Sequence, residues 1–347
     1  MNRSEAKIRS RPKYRSSSNN RTDRSLILTH GDSDGVCSGA IAKSAYPEAD
    51  VYFTSPVGLL DDLKMAEGYR DIIICDIAID ARSCTALFNR LEELSRNANI
   101  IYIDHHPLPD KCWDVDWLYS DLNMCASELT YKVLEDRLNS DMRRVAIYGA
   151  IGDYYDNTPS IKEWLQDWDK RSLFFQAGTL IQALFHMGRN YEFKRKLLIP
   201  LSRDTIPTEI PSVPEIAREG ARAEEALRLR IKKDVTSLQN LAYVIDPKGY
   251  MSKSAIYAAS YGMRGVGIAA EYREHKGVYD MSLRSREDID LNRLLRAVAL
   301  RHGGTGGGHA SAAGARIPAT SFVEFLQDLD AAIGAEKRKV LSVSYNG

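Results

Sequence analysis

The sequence predicts an α/β protein in which a parallel-sheet domain is joined by a helical linker to a smaller α/β domain. Three observations carry this. From residue 25 to about 156, short β-rich runs alternate with helical stretches, the pattern of βαβ units. The runs are almost continuously apolar, as strands are when helices cover both faces of the sheet. A charged stretch rich in Glu, Arg and Ala, from Pro214 to about Leu238, then precedes a second alternation of strands and helices.

Each element follows from its residues. Strands fit 25–29, 51–55, 71–79 and 100–104, and helices fit 35–45, 59–68, 83–97, 127–138 and 142–152. Residues 160–200 look helical, with Trp164, Trp168, Phe174, Phe175, Leu180, Leu184 and Phe185 supplying an apolar face. Pro200, Pro207, Pro211 and Pro214 then interrupt the chain. The charges of the stretch from Pro214 read as the solvated face of a connecting helix. Beyond it, strands fit 241–245, 266–273 and 278–283, and helices fit 252–262, 291–301 and 321–337. The glycine-rich segment 303–314 reads as a loop between the last two helices. The expected organisation is a basic arm over 1–24, a catalytic domain over 25–200, a linker over 201–240 and a second domain over 241–340.

A chain of 347 residues is long for one core, which agrees with two domains. No uncharged apolar run approaches the length needed to cross a bilayer, and the amino terminus lacks the apolar core of a secretory signal. Five cysteines at 37, 75, 84, 112 and 125 include no C-x-x-C pair and read as free thiols in a reducing compartment, so a cytoplasmic location is expected. The net charge of zero conceals an asymmetry. Residues 1–24 carry eight Lys or Arg against two acids, a net of +6 balanced by −6 elsewhere. Such an arm attracts phosphate backbones or serves as a solubilising tail, and the sequence leaves both readings open.

Chemistry-bearing side chains stand where apolar runs end. Ile101-Tyr-Ile-Asp-His-His-Pro107 delivers Asp104, His105 and His106 to one point. His30, Asp32 and Asp34 follow the run Leu26-Ile-Leu28 at alternate positions, and Gly35 lets the backbone turn. A lone helix cap would need Asp34 only, and two carboxylates so close repel without a cation. Asp76 interrupts the apolar run 72–79, where a buried carboxylate is costly unless paired or ligating. Asp153 follows Gly149-Ala-Ile-Gly152, whose small side chains leave room for an approaching group. In open α/β sheets ligands bind beyond the carboxyl ends of the strands.

His30, Asp32, Asp34, Asp76, His105 and Asp153 offer four carboxylates and two imidazoles, too many for one tetrahedral zinc. With one carboxylate bridging they suit two divalent ions. Ligation by oxygen and imidazole without thiolate favours Mn²⁺, with Mg²⁺ as the alternative. Such a pair supplies activated water and a clamp for in-line displacement at phosphorus, which points to phosphoester hydrolysis. His106 is placed to reach a phosphate oxygen or the leaving group, and Asp104 to orient a neighbour; these two are the expected catalytic groups. Gly306, Gly307 and Gly308 allow close backbone approach to an anion, His309 adds a donor, and Arg284 is placed like a bidentate phosphate ligand. The segment has no Gly-Lys-Ser/Thr and is not a Walker motif.

Asp104-His105-His106, the Asp-x-Asp-Gly segment at 32–35 and Gly-Gly-Gly-His at 306–309 together resemble the DHH phosphoesterase superfamily with its associated DHHA1 domain. The resemblance covers most of 25–335 in order and looks closest to RecJ-like nucleases and small oligonucleotide phosphodiesterases. It implies a parallel-sheet DHH domain joined by a helix to a DHHA1 domain. It also implies two Mn²⁺ held by Asp32, Asp34, Asp76, His105 and Asp153, with Asp76 as the bridge; His30 matches the first motif only loosely. Arg284, Gly307, Gly308 and His309 match elements that hold substrate phosphate.

The expected activity is therefore a Mn²⁺-dependent exonuclease or oligonucleotide phosphodiesterase on single-stranded DNA or RNA, with replication or repair partners or a homodimer in view and no membrane. About thirty residues follow the DHHA1-like segment without an OB-like module, which favours short oligonucleotides or a compact nuclease. The alternatives are a phosphatase of small nucleotides such as pAp and a cyclic-dinucleotide phosphodiesterase. A non-catalytic replication scaffold is disfavoured because every acidic ligand position is filled. The glycine-rich segment and the basic arm weigh against an inorganic pyrophosphatase.

Overall fold

Alternation decides the first sheet. Leu26, Leu28, Ile72, Ile74, Ile100 and Tyr102 pack to one side, whereas Ile27, Ile73, Cys75, Ile101 and Ile103 pack to the other. Both sets are buried, so the strands have no polar face, and each such side chain contributes about 1.5–3 kcal/mol relative to exposure. The computed structural model describes residues 24–80, 82–109 and 115–344, with the side chains of 339–344 excepted. The basic arm up to residue 23 and Cys112 lie outside the described residues; Arg24 donates to Asp50 at the sheet margin.

The first unit ends at Gly220. It runs β1 (Ser25–Thr29), α1 (Ser33–Ala45), β2 (Asp50–Phe53), α2 (Leu59–Asp62), β3 (Asp71–Cys75), α3 (Cys84–Ser95), β4 (Asn99–Asp104), β5 (Leu118–Ser120), α4 (Ala126–Leu134) and α5 (Arg143–Gly152). Three further helices, α6 (Pro159–Trp164), α7 (Lys170–Met187) and α8 (Tyr191–Leu201), occupy the stretch read as helical. The five strands lie in the order β2-β1-β3-β4-β5 and every pairing is parallel. The order reverses between β1 and β3, and such a switch point opens a crevice at the carboxyl ends of the strands.

α9 (Val213–Asp234) spans the boundary between the units. The second unit continues with β6 (Thr236–Ser237), β7 (Leu241–Ile245), α10 (Met251–Tyr261), β8 (Val266–Arg273), β9 (Val278–Ser285), α11 (Leu291–Arg301), β10 (Thr305–Gly308), β11 (Ala312–Pro318) and α12 (Phe322–Ser344). Its sheet runs β10-β11-β9-β8-β7-β6 and is mixed, with only β7 and β8 parallel. The protein is thus α/β in both units.

Three local readings change. The run 71–79 is not one strand: β3 stops at Cys75, and Asp76 turns into the left-handed region at φ 57°. The segment 303–314 is not an irregular loop. Thr305–Gly308 and Ala312–Pro318 form an antiparallel pair, Gly307 opposite Gly314, and β11 adds to β9 with Ala312 opposite Arg284. Glycine and alanine carry no apolar alternation, so these strands left no pattern to read. Strand β5 is three residues long and equally silent.

Candidate metal centre

The ends of β1, β3 and β4 converge at the switch point. Beyond β1, Asp32 caps α1 by accepting from the Gly35 amide at 2.9 Å, so the cap is Asp32 rather than Asp34. Asp34 sits in the first turn of α1, buried, and its two oxygens accept from the Ala126 and Ser127 amides at 2.7 and 2.9 Å. Those amides begin α4, whose N-terminal dipole favours the carboxylate. The turn at residue 35 demands glycine, because a Cβ there would lie 2.4 Å from the His30 carbonyl oxygen.

Asp76, 2% exposed, is the common member of the site. Ligand-type atoms of three sets lie within 4.8 Å of one another: His30, Asp32 and Asp76; Asp34, Asp76 and His105; Asp76, Asp104 and His106. His105 Nε2 stands 3.5 Å from Asp76 Oδ1, 3.5 Å from Asp153 Oδ2 and 3.8 Å from Asp34 Oδ2. His30 Nδ1 stands 2.9 Å from Asp32 Oδ2 and 3.9 Å from Asp76 Oδ2. All six expected ligands therefore meet in the first unit.

Asp153 arrives from the C-terminal end of α5, where it is the cap residue. The small residues before it serve the packing: a Cβ on Gly149 would fall 2.2 Å from Ser127 Oγ and 2.7 Å from Asp34 Oδ1. Glycine lets α5 press against α1 and α4, so the space the sequence suggested is filled by protein. The Tyr155 ring stands edge-on to His105 at 5.4 Å between centroids.

His106 is partly exposed, and Asp104 is fully buried beneath it. Asp104 accepts from the His106 amide at 3.3 Å and lies 2.8 Å from Nδ1, which fixes the ring and turns Nε2 outward from the dyad.

The electrostatics require compensation. Burial, then Asp32, Asp34, Asp104 and Asp153, pushes the Asp76 carboxyl well above the usual range. Burial also raises Asp32, but the charge and hydrogen bond of His30 outweigh it and hold that carboxyl below its ordinary value. Asp32 in turn raises His30. Burial lowers His105, leaving the neutral imidazole that a metal ligand requires. At His106 burial works downward, yet Asp104 leaves the ring raised.

Divalent cations fit this donor set. Asp76 Oδ2 is buried and makes no hydrogen bond, and the surrounding carboxylates repel one another without positive charge. Thiols do not compete: burial pushes Cys75 up to about 12, and Cys37 and Cys125 well above their ordinary value. The donors are oxygen and imidazole.

Sequence reasoning missed Lys194, a buried lysine of α8 whose Nζ donates to the Gly31 carbonyl between His30 and Asp32. It stands beside Arg195 and Lys196, and nothing in such a triplet says which cation turns inward. The amides of Ala126 and Ser127 were equally unsignalled.

The remaining predicted residues belong to the second unit. Arg284 is the penultimate residue of β9, with Nη1 donating to the Leu283 carbonyl at 2.8 Å and to Ser282 Oγ at 3.3 Å. Gly306, Gly307 and Gly308 follow Thr305 in β10, and the Gly308 amide donates to Asn292 Oδ1 at 3.2 Å. Gly308 adopts φ 142° with no room for a Cβ, which would meet the Ala312 carbonyl oxygen at 2.7 Å. His309 opens the turn, its amide donating to the Ala312 carbonyl at 2.8 Å. Because Ala312 pairs with Arg284, the turn and the guanidinium share one end of the sheet.

Comparison with known proteins bears on the domains and the fold. Residues 24–152 match the DHH family, N-terminal domain, and residues 243–335 match the DHHA1 domain. Curated proteins yield no match. Among solved structures, RecJ from Thermus thermophilus in complex with Mn²⁺ superposes with a TM-score of 0.65 at 15% identity, over 90% of this chain and 52% of that one. An exonuclease RecJ bound to manganese gives 0.59 at 18% identity, over 90% of both chains. A pGpG-specific phosphodiesterase, PggH from Vibrio cholerae, gives 0.54 at 16% identity, over 90% and 99%. At these identities the likeness is one of fold.

Proposed function

We propose, from the premise that the chain belongs to the DHH phosphoesterase superfamily through its DHH and DHHA1 domains, that it cleaves phosphodiesters of single-stranded DNA, RNA or short oligonucleotides at a dinuclear Mn²⁺ site. The observation that carries this reading is the sharing of Asp76 by three sets of ligand-type atoms. One carboxylate common to neighbouring sets is what a bridged pair of ions needs. His30 and Asp32 would hold one ion, and Asp34, His105 and Asp153 the other, with Mg²⁺ as the alternative metal. When bound, the pair supplies electrophilic activation of water and of the phosphoryl oxygens.

The chain's own groups do the rest. Asp104 orients His106, and its raised pKa keeps that ring protonated further toward neutral pH, suiting it to donate to a phosphate oxygen or to the leaving oxygen. Arg284 and the Gly306–Gly308 strand with His309 would bind substrate phosphate, the guanidinium by two hydrogen bonds and the glycines by close backbone approach. Nucleic acid is accordingly the expected partner. Among the described residues no helix is long and apolar enough to cross a membrane.

The second reading is a phosphodiesterase or phosphatase of very short substrates, from cyclic dinucleotides to pAp, favoured by the near-complete coverage of the pGpG-specific enzyme. One Mn²⁺-supplemented assay on end-labelled DNA and RNA ladders, with pAp and cyclic dinucleotides alongside, separates the two. Cleavage that persists on longer strands supports the nuclease; cleavage confined to mono- and dinucleotides selects the second reading. Turnover that survives exhaustive chelation overturns both.

A further inference from the structure

We infer that Lys194 is a positioning residue for the first metal-ligand segment, holding His30 and Asp32 in register with Asp76 through the Gly31 carbonyl. The inference rests on the metal reading above and assigns a role outside the donor set.

Lys194 belongs to α8, where it follows a first turn capped by Asn190. Its neighbours Arg195 and Lys196 point to solvent and pair with Glu192, whereas Lys194 is 5% exposed. Burying an ammonium is costly unless it is compensated. Here the compensation is local. Nζ donates to the Gly31 carbonyl and lies 5.4 Å from the centre of the Tyr191 ring; burial lowers its pKa, and the charge of Asp32 works against that. Tyr191 stacks on Phe53 at the end of β2, with centroids 5.8 Å apart, so the lysine works from a fixed floor.

The contact is close from both sides. A Cβ on residue 31 would lie 3.0 Å from Tyr191 Cε1 and 3.1 Å from Lys194 Nζ, so any larger residue there would push on the Tyr191 ring and the Lys194 ammonium. Among the described residues, backbone ties of this segment act at its margins, the Thr54 amide on the Thr29 carbonyl, Thr29 Oγ1 on the Gly35 carbonyl and Asp32 on the Gly35 amide, while His30 Nδ1 and Asp32 Oδ2 meet at 2.9 Å across residue 31. Lys194 grips the middle, between two ligands. Metal–ligand distances tolerate only about 0.2 Å, so slack at residue 31 passes directly to His30 and Asp32.

The test measures binding of Mn²⁺ alone to the full chain by calorimetry, with thermal melts in chelator and in Mn²⁺. Lys194→Met keeps most of the side chain's length and removes the charge and the donor; leaving the Gly31 carbonyl unpaired costs about 1–3 kcal/mol, so the chelated variant should stay folded and melt at or modestly below wild type. Its Mn²⁺ affinity should fall about 10- to 100-fold, the range for residues that orient ligands. Lys194→Gln retains one donor and should lie between the two. A folded Lys194→Met or Lys194→Gln variant that binds Mn²⁺ as wild type does overturns the inference. Failure of the wild-type protein to bind Mn²⁺ sinks the metal reading itself, a result distinguishable from the first.

Discussion

Replacing Asp76 with Asn tests the centre at its shared residue. The left-handed backbone at φ 57° accepts Asn as readily as Asp, and the two side chains have nearly equal volume, so the fold should persist. The charge is another matter. Oxygens of Asp32, Asp34 and Asp104 each lie within 4.8 Å of an Asp76 oxygen. At an effective dielectric constant near 20, each such pair of full charges costs about 3.5 kcal/mol or more, and the three together roughly 10 kcal/mol. That rivals the whole stability of a domain, about 5–15 kcal/mol. Without cations the site must keep a proton on Asp76, as its raised pKa indicates.

The sign follows by linkage. The folded carboxyl holds a proton that the unfolded chain has already lost, so chelated protein should lose stability as pH rises above about 4 and until the folded pKa is passed. The slope is up to about 1.4 kcal/mol per pH unit, or about 3–6 °C in Tm for a unit of this size. Asp76→Asn should flatten that slope by one proton and, in chelator at pH 8, melt above wild type. Added Mn²⁺ should stabilise wild type strongly and the variant weakly, with affinity lost by at least about 100-fold, since even residues that merely orient ligands cost 10- to 100-fold. Melting curves from pH 5 to 8, each with chelator and with Mn²⁺, give both readings. Equal pH slopes, or equal stabilisation by Mn²⁺, would refute the argument.

Three further outcomes are expected. Asp104→Asn should shift the alkaline limb of the pH–rate profile to lower pH, because His106 loses the partner that raises it, and His106→Ala should cut turnover about 10²- to 10⁴-fold with Mn²⁺ stabilisation retained. An unmoved limb would remove the dyad from the mechanism. Gly149→Ala should destabilise the first unit by about 1–3 kcal/mol and weaken Mn²⁺ binding, since the added methyl meets Ser127 and Asp34; a melting curve at wild-type temperature contradicts this. His309→Ala should raise KM about tenfold or more with a smaller change in kcat, the cost of a lost hydrogen bond to a charged group, and an unchanged KM tells against its phosphate role.

The parts of this fold that the sequence disclosed are those where one physical signal dominates. Ile72-Ile-Ile-Cys75 could only be a strand buried on both faces, and Asp76 after it stood out because a carboxylate has no business in such a run without a partner. The ligands clustered for the same reason: strand ends in a parallel sheet meet at one edge, so residues distant in sequence share a crevice once the strand order is 2-1-3-4-5. What stayed hidden lacked a one-dimensional signature. The hairpin at 305–318 is held by backbone pairing and by the absence of side chains, which periodicity cannot register. Lys194 is one of three successive cations, and its burial depends on which face α8 turns to the loop at Gly31. A metal site is therefore legible in its ligands, which are chemically odd where they stand, and illegible in its supports, which become distinctive only when the chain has folded.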